Sequence, residues 1–311
     1  MPSSPPVIPI VTGPTASGKS ALALALAARF GGAIVNADAM QTYDAFPILT
    51  AQPSAEERGR VPHRLFGILD IADPLTAARW RRMAIEAISE LLTLGRWPML
   101  VGGSGLYLRT LVEGIAPIPP VPAAVRAAAR QDWQLLGPGA FRARLAAADP
   151  EIAARLAPAD RQRQIRAWEV FAASGRPLSD WQRARSDAPP PWRFLWILLA
   201  PDRAWLRQRI ALRFDAMIEA GVLAEVRRVA VRNLPPDLPG LKAHGAPELL
   251  RHIRGEIDLS TARQRAIDIT RQYAKRQSTW FRHQIIPDLT IDPQSSEAET
   301  VATQLMDKWR Q

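Results

Sequence analysis

An α/β fold is what this sequence predicts: a parallel sheet covered by helices on both faces and interrupted by an all-helical insertion. Three observations carry that expectation. Short apolar runs of β character alternate with amphipathic stretches as far as about residue 115, the pattern that buries a parallel sheet between helices. Two proline-rich stretches, APIPPVP at 116–122 and DAPPPW at 187–192, bracket an Arg/Ala/Trp-rich segment of helical pattern with no strand candidate, as expected of an insertion between boundaries. Beyond the second stretch RFLWILLA supplies another strand, so the chain returns to the sheet. The expected division is therefore a core over 1–118, a helical insertion over 119–189, and the second part of the core, with basic C-terminal helices, over 190–311.

Taken in order, VIPIVT (7–12), GAIVNAD (32–38), LFGILD (65–70) and PMLVGG (98–103) read as buried strands. Pro9 lacks an amide hydrogen, which weakens its strand or puts the proline near a strand start or edge. RWRRMAIEAISELLTLG reads as a helix with Trp80, Met83, Ala84, Ala87, Ile88, Leu91 and Leu94 on its apolar face and Gly95 as the C′ residue. A later helix has Asp202 as N-cap and Gly221 as C′. From about 292 a tail or terminal helix is expected.

Composition narrows the function classes. Of the 311 residues 47% are hydrophobic and 23% charged, which excludes a disordered chain. There is no cysteine, so disulfides, thiolate metal sites and cysteine nucleophiles are absent together, and His63, His244, His252 and His283 show no zinc-like spacing. No apolar run approaches the ~18 residues of a membrane span, and MPSSPP lacks the marks of a secretory leader, so a cytoplasmic location without membrane contact is expected. The net charge is +10, and all but four of the 40 basic residues are arginine. Either a GC-rich genome or a polyanionic partner such as nucleic acid accounts for that excess.

The most specific motif is Gly13-Pro14-Thr15-Ala16-Ser17-Gly18-Lys19-Ser20, directly after the first strand and before a helix. In G-x-x-x-x-G-K-[ST] the glycines let backbone N–H groups curl around an anion, the helix N-terminus adds its positive end, the lysine reaches terminal phosphates and the serine can ligate Mg²⁺. The fold is thus expected to be P-loop NTPase-like. A nucleoside triphosphatase also needs an acidic strand end; Asp38 and Asp70 are the candidates, and neither carries the usual acidic pair. Asp38 is followed by AMQTY, hydrogen-bonding and aromatic residues suited to reading a nucleobase; a turn aspartate capping a helix would look the same. A second glycine turn, VGGSGLYL, follows a strand and would open at the same carboxyl edge, with the Ser104 hydroxyl in the site. On these residues alone, a P-loop kinase or NTPase acting on a small molecule or RNA stays open.

GPTASGKS, NADAMQTY, VPHRL, VGGSGLYL, DRQRQIRAWEV and TRQYAKRQSTWFR, in this order and at these separations, resemble the tRNA dimethylallyltransferases over about residues 8–284. The resemblance implies a P-loop α/β core with a helical insertion. It implies transfer of a dimethylallyl group from dimethylallyl diphosphate to N6 of the adenine immediately 3′ of the anticodon, in tRNAs reading codons that begin with U, with Mg²⁺ as cofactor. The loop 13–20 would hold the donor's diphosphate and Ser20 the metal. Asp38 would be the general base, and Ser104 and Arg213 would act on the diphosphate, with Arg209 one turn from Arg213.

By the same resemblance the flipped adenine and its tRNA anticodon stem-loop would be held by Asp38, Ala39, Met40, Gln41 and Ser104. Gln162, Arg163, Gln164, Ile165, Arg166 and Arg126 on the insertion would make further tRNA contacts. Arg271, Lys275 and Arg282, spaced to share one helical face, would contact phosphates, while Trp280 is expected to pack inward. A monomer is expected. The chain departs from the family pattern at Ala39 (usually Ser), Ser104 (usually Thr), AHGAPE at 243–248 (a GYK/R-E-like turn elsewhere) and TAQPS at 50–54, which lacks a common lysine.

Overall fold

A computed structural model describes residues 5–184, 189–236 and 238–310. Of the proline-rich stretch at 187–192, residues 187 and 188 lie outside the described residues. The chain divides into two units, one of residues up to 112 together with those from 190, the other of residues 113–189.

The first unit begins β1 (Val7–Thr12), α1 (Lys19–Phe30), β2 (Gly32–Asn36), α2 (Ala55–Arg60), β3 (His63–Arg64), α3 (Ala77–Thr93), β4 (Trp97–Gly102) and α4 (Gly105–Glu113). The second unit carries α5 (Ala123–Ala148), α6 (Pro150–Arg155), α7 (Arg161–Ser174) and α8 (Leu178–Arg183). The first then resumes with β5 (Arg193–Leu199), α9 (Arg203–Glu219), α10 (Val222–Ala230), α11 (Ala246–Ile253), α12 (Leu259–Gln284), β6 (Leu289–Ile291) and α13 (Ala298–Arg310). The sheet order is β3-β2-β4-β1-β5-β6 and its strand pairs are parallel. Every βα loop between parallel strands therefore leaves from one carboxyl edge, where such sheets bind ligands.

Alternation along the strands sorts the core into two faces. Val11, Ile34, Met99, Val101 and Ile197 pack under α1 and α13, whereas Ile8, Ile10, Ala33, Val35 and Leu100 pack under α3 and α4. Burial on both faces is why these strands read as continuous apolar runs. A third apolar cluster joins α9–α12 to Phe46, Leu49 and Ile71. Trp80 of α3 is fully buried, stacks on Tyr107 at 5.1 Å and donates its indole N–H to the Asn36 carbonyl at 3.0 Å, fixing the end of β2 from which the Asp38 turn departs.

The caps follow the sequence. Asp202 accepts the N–H groups of Ala204 and Trp205, and Gly95 and Gly221 take the left-handed conformation after their helices. Leu94, expected on the buried face of α3, is exposed because the helix has already ended at Thr93.

Other expectations are corrected. LFGILD is not a strand: Leu65 and Gly67 have φ of 66° and 60°, so the extended part is only His63–Arg64, and Leu69 makes one isolated bridge to Tyr43. Asp70 is exposed, pairs with Arg232 and lies about six residues past the end of β3. Pro9 is the third residue of β1, near its start as one alternative has it, and β1 is an interior strand, not an edge; the β1–β4 ladder begins one residue later, at Ile10↔Leu100, so the missing N–H costs that ladder nothing. Among the described residues no helix is long and apolar enough to cross a membrane.

In the second unit α5 bends at Gly137 (φ 70°), just before Pro138. Trp133, Phe141 and Ile165 form one apolar cluster, and Leu145, Ile152 and Val170 another. Buried Asp149 accepts the N–H of Ile152 and of Ser179, so one carboxylate joins α6 to α8.

The end of β4 sets the Asp38 turn by close approach. A Cβ added to Gly102 would fall 2.1 Å from the carbonyl of Ala37, so Gly102→Ala is expected to cost about 3 kcal/mol through forced backbone movement. Urea unfolding checks it; an unchanged midpoint would mean that the approach is not tight.

Candidate functional site

Residues 13–20 close into a cup at the carboxyl edge of β1. Gly13 (φ 150°) can bring its backbone against Leu199 only without a side chain, since a Cβ would sit 2.6 Å from that carbonyl. Gly18 (φ 90°) opens α1, and no side chain caps the helix. Its first N–H groups are thus left to an anion. The Ser17 hydroxyl is buried without a partner among the described residues, a group that a bound acceptor would satisfy.

A cavity of about 530 Å³ stands over the cup. Thr15, Ala16, Gly18, Lys19 and Ser20 form its floor, Asp38 and Gln41 one side, and Arg209 and Arg213 of α9 another. Leu24, Ile34, Phe66, Val101 and Leu212 give it apolar walls. A smaller cavity of about 60 Å³ shares Thr15, Asp38, Thr50 and Arg213 with the first and is lined by Met40, Leu49, Phe214, His244 and Tyr273. Asp38 and Arg213 therefore face both.

The electrostatics are unbalanced toward positive charge. Burial lowers the Lys19 ammonium to about 8; nearby Asp38 raises it and Arg213 lowers it further. Burial also lowers the Arg213 guanidinium, to about 10, with Asp38 opposing and Arg209 adding to the fall. Arg213 donates to the Thr15 hydroxyl at 2.8 Å, and among the described residues Lys19 reaches only the Pro14 carbonyl, at 3.3 Å. Desolvated cations that line one cavity, as Lys19 and Arg213 do, are stabilised by a multivalent anion.

Asp38 lies just past β2. Its Oδ1 accepts the Met40 N–H at 3.0 Å, and Asn36 secures the turn by accepting the Asp38 N–H and donating to the Asp38 carbonyl. Oδ2 makes no hydrogen bond to a described residue. Ser104 clamps both flanks of this aspartate: its hydroxyl accepts the Ala39 N–H at 3.0 Å and its own N–H donates to the Ala37 carbonyl at 3.1 Å. It also meets the Tyr273 phenol, whose ionisation burial raises. The Tyr273 ring lies tilted against His244, centroids 4.2 Å apart, and burial lowers His244, with Asp38 raising and Arg276 lowering it.

The structure thus brings together Asp38, Met40, Gln41, Arg213 and residues of the 13–20 loop, with Ala39 and Ser104 immediately behind Asp38. Three readings need correcting. Gln41 does not offer its amide donors to a base, because both are spent on the carbonyls of Thr50 and Ala51, at 2.8 and 2.7 Å. Ser104 does not line either cavity; its hydroxyl is engaged by Ala39. The glycines of VGGSGLYL do not free a turn for an anion: Cβ atoms at Gly103 and Gly105 would meet the Gln277 amide at 2.1 Å and the Trp280 ring at 2.3 Å.

Arg271, Lys275 and Arg282 of α12 line one groove of about 830 Å³ with Arg203 and Arg207 of α9. Arg271 is partly tied down, to Asp268 and the Arg207 carbonyl. Trp280 packs against Phe281, edge-on at 5.2 Å. In the helical unit Arg126 is exposed on α5, and Gln162, Arg163 and Arg166 are exposed on α7. Gln164 and Ile165 are buried there, Gln164 donating to the carbonyls of Ala157 and Pro158 and Ile165 packing in the apolar core. Their side chains are thereby withdrawn from a ligand.

The sequence reading missed Gln277 and gave His244 no role. Gln277 accepts the Thr15 N–H and donates to the Gly103 carbonyl. A glutamine on a helix crowded with Arg and Gln carries no local mark of that bridge.

The family model for IPP transferase matches residues 41–284. The chain is 53% identical over 294 residues to the tRNA dimethylallyltransferase of Rhodospirillum centenum, covering 94% of this chain and 93% of that protein. It is 51% identical over 289 residues to that of Phenylobacterium zucineum, covering 92% and 94%. Among solved structures, the full-length tRNA isopentenylpyrophosphate transferase of Bacillus halodurans superposes with a TM-score of 0.71 at 28% identity, over 98% of this chain and 97% of that one. A eukaryotic dimethylallyltransferase captured acting on tRNA gives 0.81 at 25% identity, over 98% and 79%. With an uncapped phosphate cup, an adjoining carboxylate and this breadth of agreement, the chain belongs to the IPP transferase family.

Proposed function

We propose that this protein transfers a dimethylallyl group from dimethylallyl diphosphate to N6 of the adenine 3′ of the anticodon, in tRNAs reading codons that begin with U, and releases diphosphate. The observation that carries this reading is the pairing of Lys19 and Arg213, two desolvated cations over the cup, with a single carboxylate, Asp38, on the shared wall of the two cavities. That arrangement suits a departing diphosphate on one side of Asp38 and an amine losing a proton on the other. It suits an NTPase less well, because Asp70 pairs with Arg232 at the surface and supplies no second acidic strand end.

In the reaction, the N6–C bond forms as the C–O bond to the donor breaks, and the bonding pair leaves with the diphosphate. Backbone N–H groups of residues 13–20, Lys19 and Arg213 stabilise that growing charge. As N6 becomes cationic its proton passes to Asp38 Oδ2, while Oδ1 stays engaged by Met40. Thr15, held by Arg213, orients the loop. The apolar walls give the prenyl chain a dry surface and keep water from the allylic carbon.

Mg²⁺ fits the residues present. Ser20 is exposed at the start of α1 and lines the cavity together with Asp38, offering a hydroxyl oxygen of the kind Mg²⁺ takes. Ser20, substrate oxygens and water would hold the ion, as Mg²⁺ prefers, and it would supply charge neutralisation at the leaving diphosphate.

The groove of Arg271, Lys275 and Arg282 supports phosphate contacts to the tRNA stem-loop, giving affinity without sequence choice. We place the protein in the cytoplasm, as a monomer. The test is to incubate it with dimethylallyl diphosphate, Mg²⁺ and tRNA and to analyse the nucleosides by mass. N6-dimethylallyladenosine beside the anticodon is expected; folded protein that yields none overturns the proposal.

Lys19 gives donor binding a pH dependence. The anion favours the protonated ammonium, so affinity is full below about 8 and is lost as pH rises through that value, by about tenfold per unit until the value of the bound state is reached. Calorimetry between about pH 7 and 9 tests this, a window that ends below the Arg213 value of about 10. Lys19→Arg is expected to flatten the profile; an unchanged profile in that variant would assign the pH dependence to another group.

A further inference from the structure

The β1–β4 ladder ends at Thr12↔Gly102. Just beyond it the two strands open into separate loops, one ending in the phosphate cup and the other leading to Ser104. One side chain spans them. Gln277, on α12 and only 5% exposed, accepts the Thr15 N–H at 2.8 Å through Oε1 and donates to the Gly103 carbonyl at 2.9 Å through Nε2. Both partners are backbone groups of fixed polarity, so only one orientation of the amide satisfies them. Gly103 is so close that a Cβ there would strike Nε2.

The contacts continue in both directions. Thr15 also holds Arg213 through its hydroxyl. Gly103 precedes Ser104, whose N–H and hydroxyl clamp Ala37 and Ala39 on either side of Asp38. The groups suited to the departing diphosphate and the group suited to the incoming amine are therefore joined through one buried amide.

We propose that Gln277 is a positioning residue that sets the separation of the phosphate cup from Asp38. In-line displacement at an allylic carbon requires leaving group, carbon and amine to be aligned together, and a misplacement of about 1 Å can cost ~10²-fold in rate. Each half of the site can bind its own ligand without the amide; alignment of the two is what the amide adds. The kinetic part of this inference rests on the prenyl-transfer reading above, whereas its structural part does not.

The experiment uses the full chain with Gln277→Met, which has similar length and no hydrogen bonds, Gln277→Glu, which keeps the acceptor for Thr15 and loses the donor for Gly103, and Gly103→Ala. Amide exchange is read at Thr15 and at Ala39. In Gln277→Met both amides are expected to exchange about tenfold faster; in Gln277→Glu Ala39 is expected to speed up while Thr15 stays protected. If Ala39 is unmoved in both, Gln277 is a local packing residue and the proposal is wrong, whether or not the protein transfers a prenyl group.

In single-turnover assays saturated with dimethylallyl diphosphate and tRNA, Gln277→Met is expected to be about 30-fold slower, with separate affinities for the two substrates within about threefold of wild type. Gly103→Ala breaks the same link from its other end, so the double variant is expected to be no slower than the slower single one. Multiplying losses, or a Gln277→Met rate equal to wild type, would overturn the proposal. A wild-type protein that transfers nothing would instead overturn the function, and the exchange result would still decide the role of Gln277.

Discussion

Asp38→Ala lowers dimethylallyl transfer by about 10²-fold or more while tRNA binding stays near the wild-type value. The reason is that Asp38 is one acceptor among many contacts for binding but the carboxylate that takes up the N6 proton. Asp38→Asn sharpens the test, because an asparagine oxygen can still accept the Met40 N–H that Oδ1 accepts now and so preserves the turn. The same loss is expected from both variants in single-turnover assays, with tRNA affinity measured by filter binding. If Asp38→Asn retains transfer within about threefold, the carboxylate only shapes the turn and the base lies elsewhere.

Arg213→Ala is the second large effect, expected to lower kcat/KM by about 10²–10³-fold through lost stabilisation of the leaving diphosphate. Arg213 is held beside the loop by Thr15 and pushed down by burial and by Arg209, so the protein keeps it charged against an opposing environment. Removal should raise KM for dimethylallyl diphosphate and lower kcat, with the KM for tRNA nearly unchanged. Arg213→Lys should recover part of the loss, since the charge remains while the planar fork does not. A defect confined to the KM for tRNA would assign Arg213 to the nucleic acid instead.

Much of this site is legible in the sequence because its physics is local. GPTASGKS between a strand and a helix fixes a cup by covalent order alone, and Asp38 after a buried strand has to emerge at the same edge. Arg213 and Arg209, one turn apart on α9, both reach the cavity, although only the family resemblance singled them out from other helix-face arginines. Arg271, Lys275 and Arg282 share a groove as their spacing requires.

What stayed hidden depends on partners distant in the chain. Gln277 meets Thr15 across 262 positions, and nothing in TRQYAKRQSTWFR distinguishes it from Gln272. The glycines of VGGSGLYL look like an anion turn, yet their bareness answers Ala37, Gln277 and Trp280. LFGILD has strand composition, but positive φ at Leu65 and Gly67 bends it into a coil. β6 is three residues long, too short for any periodicity to show. Gln41 reads as a free amide until its loop folds back and takes both donors.

The most direct measurement supplies folded protein, Mg²⁺ and tRNA with dimethylallyl diphosphate and ATP together, and counts diphosphate, ADP and prenylated adenosine in the same reaction. One diphosphate for each N6-dimethylallyladenosine, with ATP left intact, is the predicted result. ADP accumulating without prenylated tRNA would contradict it.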